Sequence, residues 1–295
     1  MELVIVGGGL AAQRCIETLR AAGDDRPVTV VCVEPLRPYD RPPLSKEGLL
    51  GPVDPSFRSA EWYREHGVEL RLGAAAVELD PARRRVELAG GERLRYDALL
   101  IATGARARAL PDVPRAMVLR SSFDGERLRS ALLGGGPLAV VGAGLIGLEA
   151  AAAARALGVE VTVIEAAPRP LAGVLGPRAG AWLTALHRAE GVALRTGVTV
   201  TRDLGGALEL SDGTRVAAEH VLAGVGVRPA TGWLAGSGLD PTGVAVDGAG
   251  RTGSSQTTVS GRSSPAALSV SMQRWAASPP PRISSSMGPA SARRR

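Results

Sequence analysis

Apolar and polar positions follow two rhythms along this chain. Met1-Glu-Leu-Val-Ile-Val is a short apolar run that meets three glycines, and from Gln13 to Ala22 the apolar residues recur at helical spacing. The pattern predicts strand, tight turn and helix. A β-branched run, Val28-Thr-Val-Val-Cys-Val, follows and ends in Glu34. Because a helix joins the two strands, they must pair in parallel as a βαβ unit. After a Pro-rich stretch from Pro35 to Pro55, read as loop, Tyr96-Asp-Ala-Leu-Leu-Ile-Ala-Thr-Gly gives another buried strand that ends on a glycine turn.

The same design then recurs. Leu138-Ala-Val-Val-Gly-Ala-Gly-Leu-Ile-Gly runs into an Ala-rich helix through Leu157, and Val159-Glu-Val-Thr-Val-Ile leads to Glu165. Gly7 and Gly142 are offset by 135 positions, so the chain contains an internal repeat of one supersecondary unit. Gly191-Val-Ala-Leu-Arg and Val221-Leu-Ala-Gly-Val-Gly read as further short strands of the second copy. From Gly253 onward the periodicity vanishes into Ser, Arg, Pro and Ala. Such a segment buries too little apolar area to offset its ordering entropy, and it is expected to be disordered.

Composition narrows the function. At 295 residues and 45% apolar, the chain is large enough for about two domains of ordinary size. No run approaches the roughly 18 apolar residues of a membrane helix, and the first strand begins at once without a basic leader. A cytoplasmic enzyme is the expectation. Residues 1–252 hold 29 basic and 29 acidic groups, so the formal charge of +6 belongs to the six arginines after Gly253, and no basic face for nucleic acid is expected. Cys15 and Cys32 form neither a Cys-x-x-Cys nor a Cys-x4-Cys pair, which leaves no dithiol to accept an electron pair. His66, His187 and His220 lack ligand spacing, and no metal site is expected.

The chemistry lies in the two glycine turns. In Gly7-x-Gly9-x-x-Ala12 the first glycine permits the turn, the second admits a pyrophosphate close to backbone, and the small third residue lets helix pack on strand. Phosphates then sit on the helix N-terminus, whose free N–H groups and dipole favour negative charge. Glu34, 22 residues past Ala12, is placed to accept hydrogen bonds from ribose hydroxyls. Gly142-x-Gly144-x-x-Gly147 repeats the arrangement with Glu165 18 residues on. A carboxylate there accepts from a free 2′-hydroxyl but repels a 2′-phosphate, which favours NADH over NADPH. Glu149, two residues beyond Gly147, is either a solvated helix residue or faces the nicotinamide. The fold class is therefore α/β, with two Rossmann-like dinucleotide-binding domains built on parallel sheets and a disordered C-terminal tail.

Pro38-Tyr39-Asp40-Arg41-Pro42-Pro43-Leu44-Ser45-Lys46 carries a more specific signal. With Ala102-Thr103-Gly104, Leu119-Arg120-Ser121 and Gly224-Val225-Gly226-Val227-Arg228-Pro229, in that order, it resembles the FAD-dependent pyridine nucleotide-disulfide oxidoreductases of the ferredoxin and rubredoxin reductase type. The resemblance extends from residue 1 to about residue 252. It implies FAD contact by Gly7, Gly9, Ala12, Glu34, Arg41, Lys46, Ala76, Thr103, Gly104 and Arg120. It also implies contact with the nicotinamide cofactor by Gly142, Gly144, Gly147, Glu149, Glu165 and Gly226, with catalytic roles for Lys46 and for Glu149. Composition points independently at Lys46, the one lysine among 35 basic residues. A compact ammonium survives in the cofactor loop where elsewhere arginine serves, and the two are poor substitutes at tight sites.

The domain division expected from these motifs is 1–108 for the first part of the FAD-binding domain, 109–228 for the NAD-binding domain and 229–252 for a return segment. The implied function is an NADH-dependent reductase that passes electrons through FAD to an iron–sulfur partner, a ferredoxin or rubredoxin. The alternative is a truncated, catalytically silent nucleotide-binding fragment of such a flavoprotein. Members of the family continue, after the segment that Gly243–Asp247 resembles, with a strand, a Gly-Asp turn at the flavin's ribityl chain and a C-terminal domain. The abrupt change after Thr252 suggests a shifted reading frame, which would leave the first sheet without its closing strand.

Overall fold

Two strands, each buried along its whole length, run into a glycine turn and a helix, and each of these units seeds a parallel sheet. The computed structural model describes residues 1–252 and the backbone of Thr257–Val259. Met1–Ser260 is one unit; Gly261–Arg295 lies outside the described residues. In chain order the first half holds β1 (Leu3–Val6), α1 (Leu10–Ala21), β2 (Val28–Cys32), α2 (Glu47–Leu50), α3 (Ala60–Glu65), β3 (Val68–Leu72), β4 (Ala76–Asp80), β5 (Arg85–Leu88), β6 (Arg93–Arg95), β7 (Ala98–Ile101) and β8 (Ala105–Ala107). The second holds α4 (Ser122–Gly134), β9 (Leu138–Val141), α5 (Leu145–Ala156), β10 (Val161–Glu165), α6 (Pro177–Ala189), β11 (Ala193–Thr196), β12 (Val200–Asp203), β13 (Ala207–Leu210), β14 (Arg215–Ala217), β15 (His220–Ala223), β16 (Val227–Pro229) and β17 (Thr257–Val259).

The first sheet has the order β17-β7-β1-β2-β3 and the second β11-β10-β9-β15, with every pairing in both parallel. Strands covered on both faces lose the in-out alternation of a half-exposed strand. That explains the unbroken apolar runs at Leu3–Val6 and Leu138–Val141, where all eight residues are buried. In each sheet the order reverses about the strand that precedes the glycine turn, with β1 between β2 and β7, and β9 between β10 and β15. A crevice opens at the carboxyl ends of strands at such a reversal, and the glycine turns Gly7–Gly9 and Gly142–Gly144 stand there.

Antiparallel ribbons complete the structure. β4-β5-β6 and β12-β13-β14 are three-stranded meanders, and β8 pairs with β16 as the chain leaves the first sheet and returns. After the return, Trp233, Leu234 and Leu239 pack with Val4 and Leu99 of the first sheet.

Two expectations change. Pro35–Pro55 is not loop throughout: Pro42–Ser45 forms a 3-10 turn and Glu47–Leu50 the short α2. Proline has φ preset for the first helical position, and Leu44 and Leu49 give the segment an apolar anchor, buried with Leu128 of α4 and Leu148 of α5. The outer edge of the first sheet is also not bare. Thr257–Val259, a β-branched run inside the segment read as patternless, pairs in parallel with Leu99–Ile101 and satisfies the backbone groups an edge leaves open. The rest of 253–295, and with it the proposed shift of reading frame, lies outside the described residues.

Candidate functional site

A cleft of about 370 Å³ opens beside the first glycine turn. Seven of the residues expected at FAD line it: Gly7, Gly9, Glu34, Arg41, Ala76, Thr103 and Arg120. Ala12 instead lies fully buried in the core under α1, in keeping with its role of letting helix approach strand. Gly104 takes φ +67° beside the Arg120 guanidinium, a backbone state that suits glycine. Lys46 belongs to a different contact, described below.

The backbone at the turn is tight. A Cβ on Gly7 would lie 2.1 Å from the Ala102 carbonyl oxygen, and one on Gly9 would meet an Arg41 guanidinium nitrogen at 2.9 Å. Tyr39, buried, donates from its hydroxyl to Glu34 Oε2 at 2.6 Å, while the Arg41 guanidinium reaches Oε1 at 3.3 Å. The same hydroxyl accepts from the Ser122 N–H at 2.9 Å. Tyr39 therefore ties the acid at the end of β2 to the first turn of α4. Burial, and then the Glu34 carboxylate, push its phenol well above the usual tyrosine range.

Arg120 gives its Nε–H to the Ala105 carbonyl at 2.9 Å, and its backbone N–H donates to Asp124. Burial and the neighbouring Arg41 charge hold its pKa below the ordinary arginine value. Two guanidiniums sharing a cleft wall with a helix N-terminus suit an anion such as a diphosphate. The indole N–H of cleft-lining Trp233 is buried without a partner among the described residues, a donor for which a bound ligand would provide an acceptor. The cleft residues thus fit FAD in charge, in backbone approach and in the unspent Trp233 donor.

The second turn has the same construction. A Cβ on Gly142 would fall 2.5 Å from the Gly224 carbonyl oxygen, and one on Gly147 2.2 Å from the Gly142 carbonyl oxygen. A Cβ on Gly144 would meet, among the described residues, only Gly224 O, at 3.8 Å, so its Cα face is open to a ligand. Glu165 accepts from the Ala143 N–H at 2.6 Å and from the Ala167 N–H at 2.7 Å, which braces the acid against the turn it serves. Gly226, at φ +96°, turns the chain from β15 into β16, and its carbonyl accepts from the Arg108 N–H at 3.0 Å.

Lys46 and Glu149 bridge the two constructions. Lys46 Nζ stands 3.2 Å from Glu149 Oε1, and the Ser45 hydroxyl donates to Glu149 Oε2 at 2.6 Å. Of the two alternatives for Glu149, the structure gives it these partners from the Pro-rich segment rather than solvent alone.

Sequence reasoning gave no role to Tyr39, Ser121, Asp124, Trp233 or Gly224. Ser121-x-x-Asp124 carried a usable signal, since it is a capping box that caps α4 at the cleft with both reciprocal bonds made. Gly224 stands at a strand end in one of the motifs that carry the resemblance, but its packing role had no signal. Its backbone fills the space between Gly142 and Gly147, a contact that only the folded sheet creates. Among the described residues no cluster of metal-ligating side chains occurs, and no helix is long and apolar enough to cross a membrane.

Comparison with known proteins agrees with this geometry. Residues 1–260 match the family described as pyridine nucleotide-disulphide oxidoreductase. Rhodocoxin reductase of Rhodococcus erythropolis is 40% identical over 207 residues, which is 67% of this chain and 48% of that protein. The ferredoxin–NAD(+) reductase component of the anthranilate 1,2-dioxygenase system of Burkholderia cepacia is 39% identical over 261 residues, 84% of this chain and 64% of that protein. Among solved structures, the covalent putidaredoxin reductase–putidaredoxin complex superposes with a TM-score of 0.83 at 32% identity, covering 88% of this chain and 67% of that one. The chain thus spans about half to two thirds of the length of these relatives.

Proposed function

This chain belongs to the pyridine nucleotide-disulphide oxidoreductase family, and from that premise we propose that it takes electrons from NADH through FAD to an iron–sulfur protein, a ferredoxin or rubredoxin. The observation that carries the reading is the pair of glycine turns at two sheet reversals, joined by the Lys46–Glu149 ion pair. Relatives whose names specify ferredoxin–NAD(+) or rubredoxin–NAD(+) reductases give the acceptor class.

In this reading residues 1–108 and 229–252 form the FAD-binding domain and residues 109–228 the NAD-binding domain. The crossings fall in the β8–β16 ribbon, and the return segment packs on the first sheet. The flavin, when bound, supplies the chemistry of accepting a hydride and releasing its electrons singly. The chain supplies position and charge. Gly7, Gly9, Arg41 and Arg120 hold the FAD diphosphate, Glu34 its ribose, and Ala76, Thr103 and Gly104 line the cavity around it, while Ala12 keeps α1 close to β1. Gly142, Gly144 and Gly147 hold the nicotinamide cofactor's diphosphate, Glu165 its ribose and Gly226 the far rim. Lys46 and Glu149 form a charged pair between the two sites, where a compact ammonium orients a carboxylate without adding net charge. With no dithiol in the chain, electrons leave by an external acceptor. A cytoplasmic setting, where NADH is at hand, completes the proposal.

Purified chain incubated with FAD should be yellow after desalting, and anaerobic NADH should bleach it. A colourless product would overturn the reading in favour of a catalytically silent fragment.

A further inference from the structure

The residue that fixes Glu149 is not its ion-pair partner. Lys46 and Glu149 side chains are 46% and 31% exposed, and a solvent-accessible pair on a flexible four-carbon stem is weak and tolerates many geometries. Ser45 differs in each respect. It is 4% exposed, has one short rotor, and ends a 3-10 turn whose first residues are Pro42 and Pro43. Its hydroxyl donates to Glu149 Oε2 at 2.6 Å, and its second acceptor, the Pro42 carbonyl, stands at 3.4 Å. The short bond to an ionised acceptor is the stronger of the two. The turn itself is held by Leu44 and Leu49, buried against α4 and α5.

We propose that Ser45 is a positioning residue: its buried hydroxyl holds one oxygen of Glu149 so that the other is presented to Lys46 between the two nucleotide sites. The inference deepens the proposed function and rests on its placement of Lys46 and Glu149 at the NADH–flavin contact. A carboxylate with a fixed donor on Oε2 has one orientation left. Without that donor the carboxylate turns freely, and Lys46 follows it into solvent. Ser45 touches neither cofactor in this assignment and acts through Glu149 alone.

The composition supplies a probe, because the chain has a single lysine. Protein grown on lysine labelled with 13C at Cε yields one side-chain signal, which reports the surroundings of Lys46 with or without flavin. Ser45→Ala and Glu149→Gln are each expected to move that signal toward the position of free lysine. The double variant should match Glu149→Gln alone, since a residue that acts only through Glu149 has nothing left to position. Ser45→Thr and Ser45→Val have the same shape and differ in the hydroxyl, so Thr should keep the wild-type signal and Val lose it. In FAD-loaded protein Ser45→Ala should slow anaerobic flavin reduction by NADH roughly tenfold, with NADH affinity changed less than about twofold. An unmoved Lys46 signal in Ser45→Ala, a Val variant like the Thr variant, or effects of Ser45→Ala and Glu149→Gln that add in full would overturn the proposal. Should the wild-type chain fail to bleach with NADH, the proposed function falls, and the lysine signal still decides what Ser45 does.

Discussion

Gly147 stands against Gly142 so closely that a Cβ on Gly147 would lie 2.2 Å from the Gly142 carbonyl oxygen and 3.2 Å from the Val140 side chain. The third glycine of the second motif is thus required by packing between helix and turn, before any ligand arrives. Gly147→Ala must push α5 off β9 or distort the turn. The expected cost is about 1–3 kcal/mol, typical of overpacking. In the proposed function this turn holds the cofactor's phosphates, so NAD+ affinity should fall in the same variant. Urea unfolding and calorimetric titration with NAD+ check both. Unchanged values would show that helix and turn separate at little cost.

Tyr39→Phe removes one hydroxyl that makes two contacts, a donation to Glu34 and an acceptance from the Ser122 N–H. The ring is buried and both partners lose a hydrogen bond, so the expected loss is about 1–3 kcal/mol of stability. Glu34 keeps Arg41 at 3.3 Å but loses its fixed orientation, and FAD should bind more weakly. Flavin content after gel filtration, with the thermal midpoint, measures the two effects. A variant that retains wild-type flavin content would confine Tyr39 to a structural role.

Much of this was legible because both glycine motifs are local in sequence. Strand, turn, helix and acid follow one another within about 30 residues, so Gly7, Gly9 and Glu34, and then Gly142, Gly147 and Glu165, could be placed from spacing alone. Contacts made across the fold left no such trace. Tyr39 reaches Ser122 across 83 positions, and Ser45 reaches Glu149 across 104. The Pro-rich segment read as loop for the same reason: Leu44 and Leu49 are two isolated apolar residues until α4 and α5 supply their partners. Lys46 was found by composition and resemblance, but its ion pair with Glu149 required the structure.

Cys32 should be chemically silent. Burial, and then Glu34, push its thiol up to about 12, and only the thiolate reacts. Native protein at pH 8 should therefore resist alkylation at Cys32 and react fully in urea, as mass spectrometry of the labelled peptide will show. The sign of the pH effect follows. A thiol with a folded pKa near 12 and an unfolded value near 9 favours the folded state at full strength below about pH 9, and that contribution is lost as pH rises toward 12. Cys32→Ala should flatten the alkaline loss of stability, whatever the cavity costs at pH 7. Rapid native labelling would contradict the burial.

Glu165 braces the second glycine turn and, in the proposed function, also reads a ribose, and the cofactor preference depends on separating the two roles. Its carboxylate accepts from the N–H groups of Ala143 and Ala167 at 2.6 and 2.7 Å, so it braces the glycine turn. A negative charge there repels a 2′-phosphate, and wild-type protein should prefer NADH in kcat/KM. Glu165→Arg should reverse the electrostatics and move the ratio toward NADPH, but it also removes both acceptors, so activity with either cofactor should drop. Glu165→Gln keeps one acceptor oxygen and loses the charge. It should relax the preference with less damage to the turn, and each step in the series corresponds to roughly tenfold per 1.4 kcal/mol of differential binding. Steady-state kinetics with both cofactors on all three proteins decides the matter. If the wild type favours NADPH, Glu165 is a brace for the turn and not the reader of the ribose.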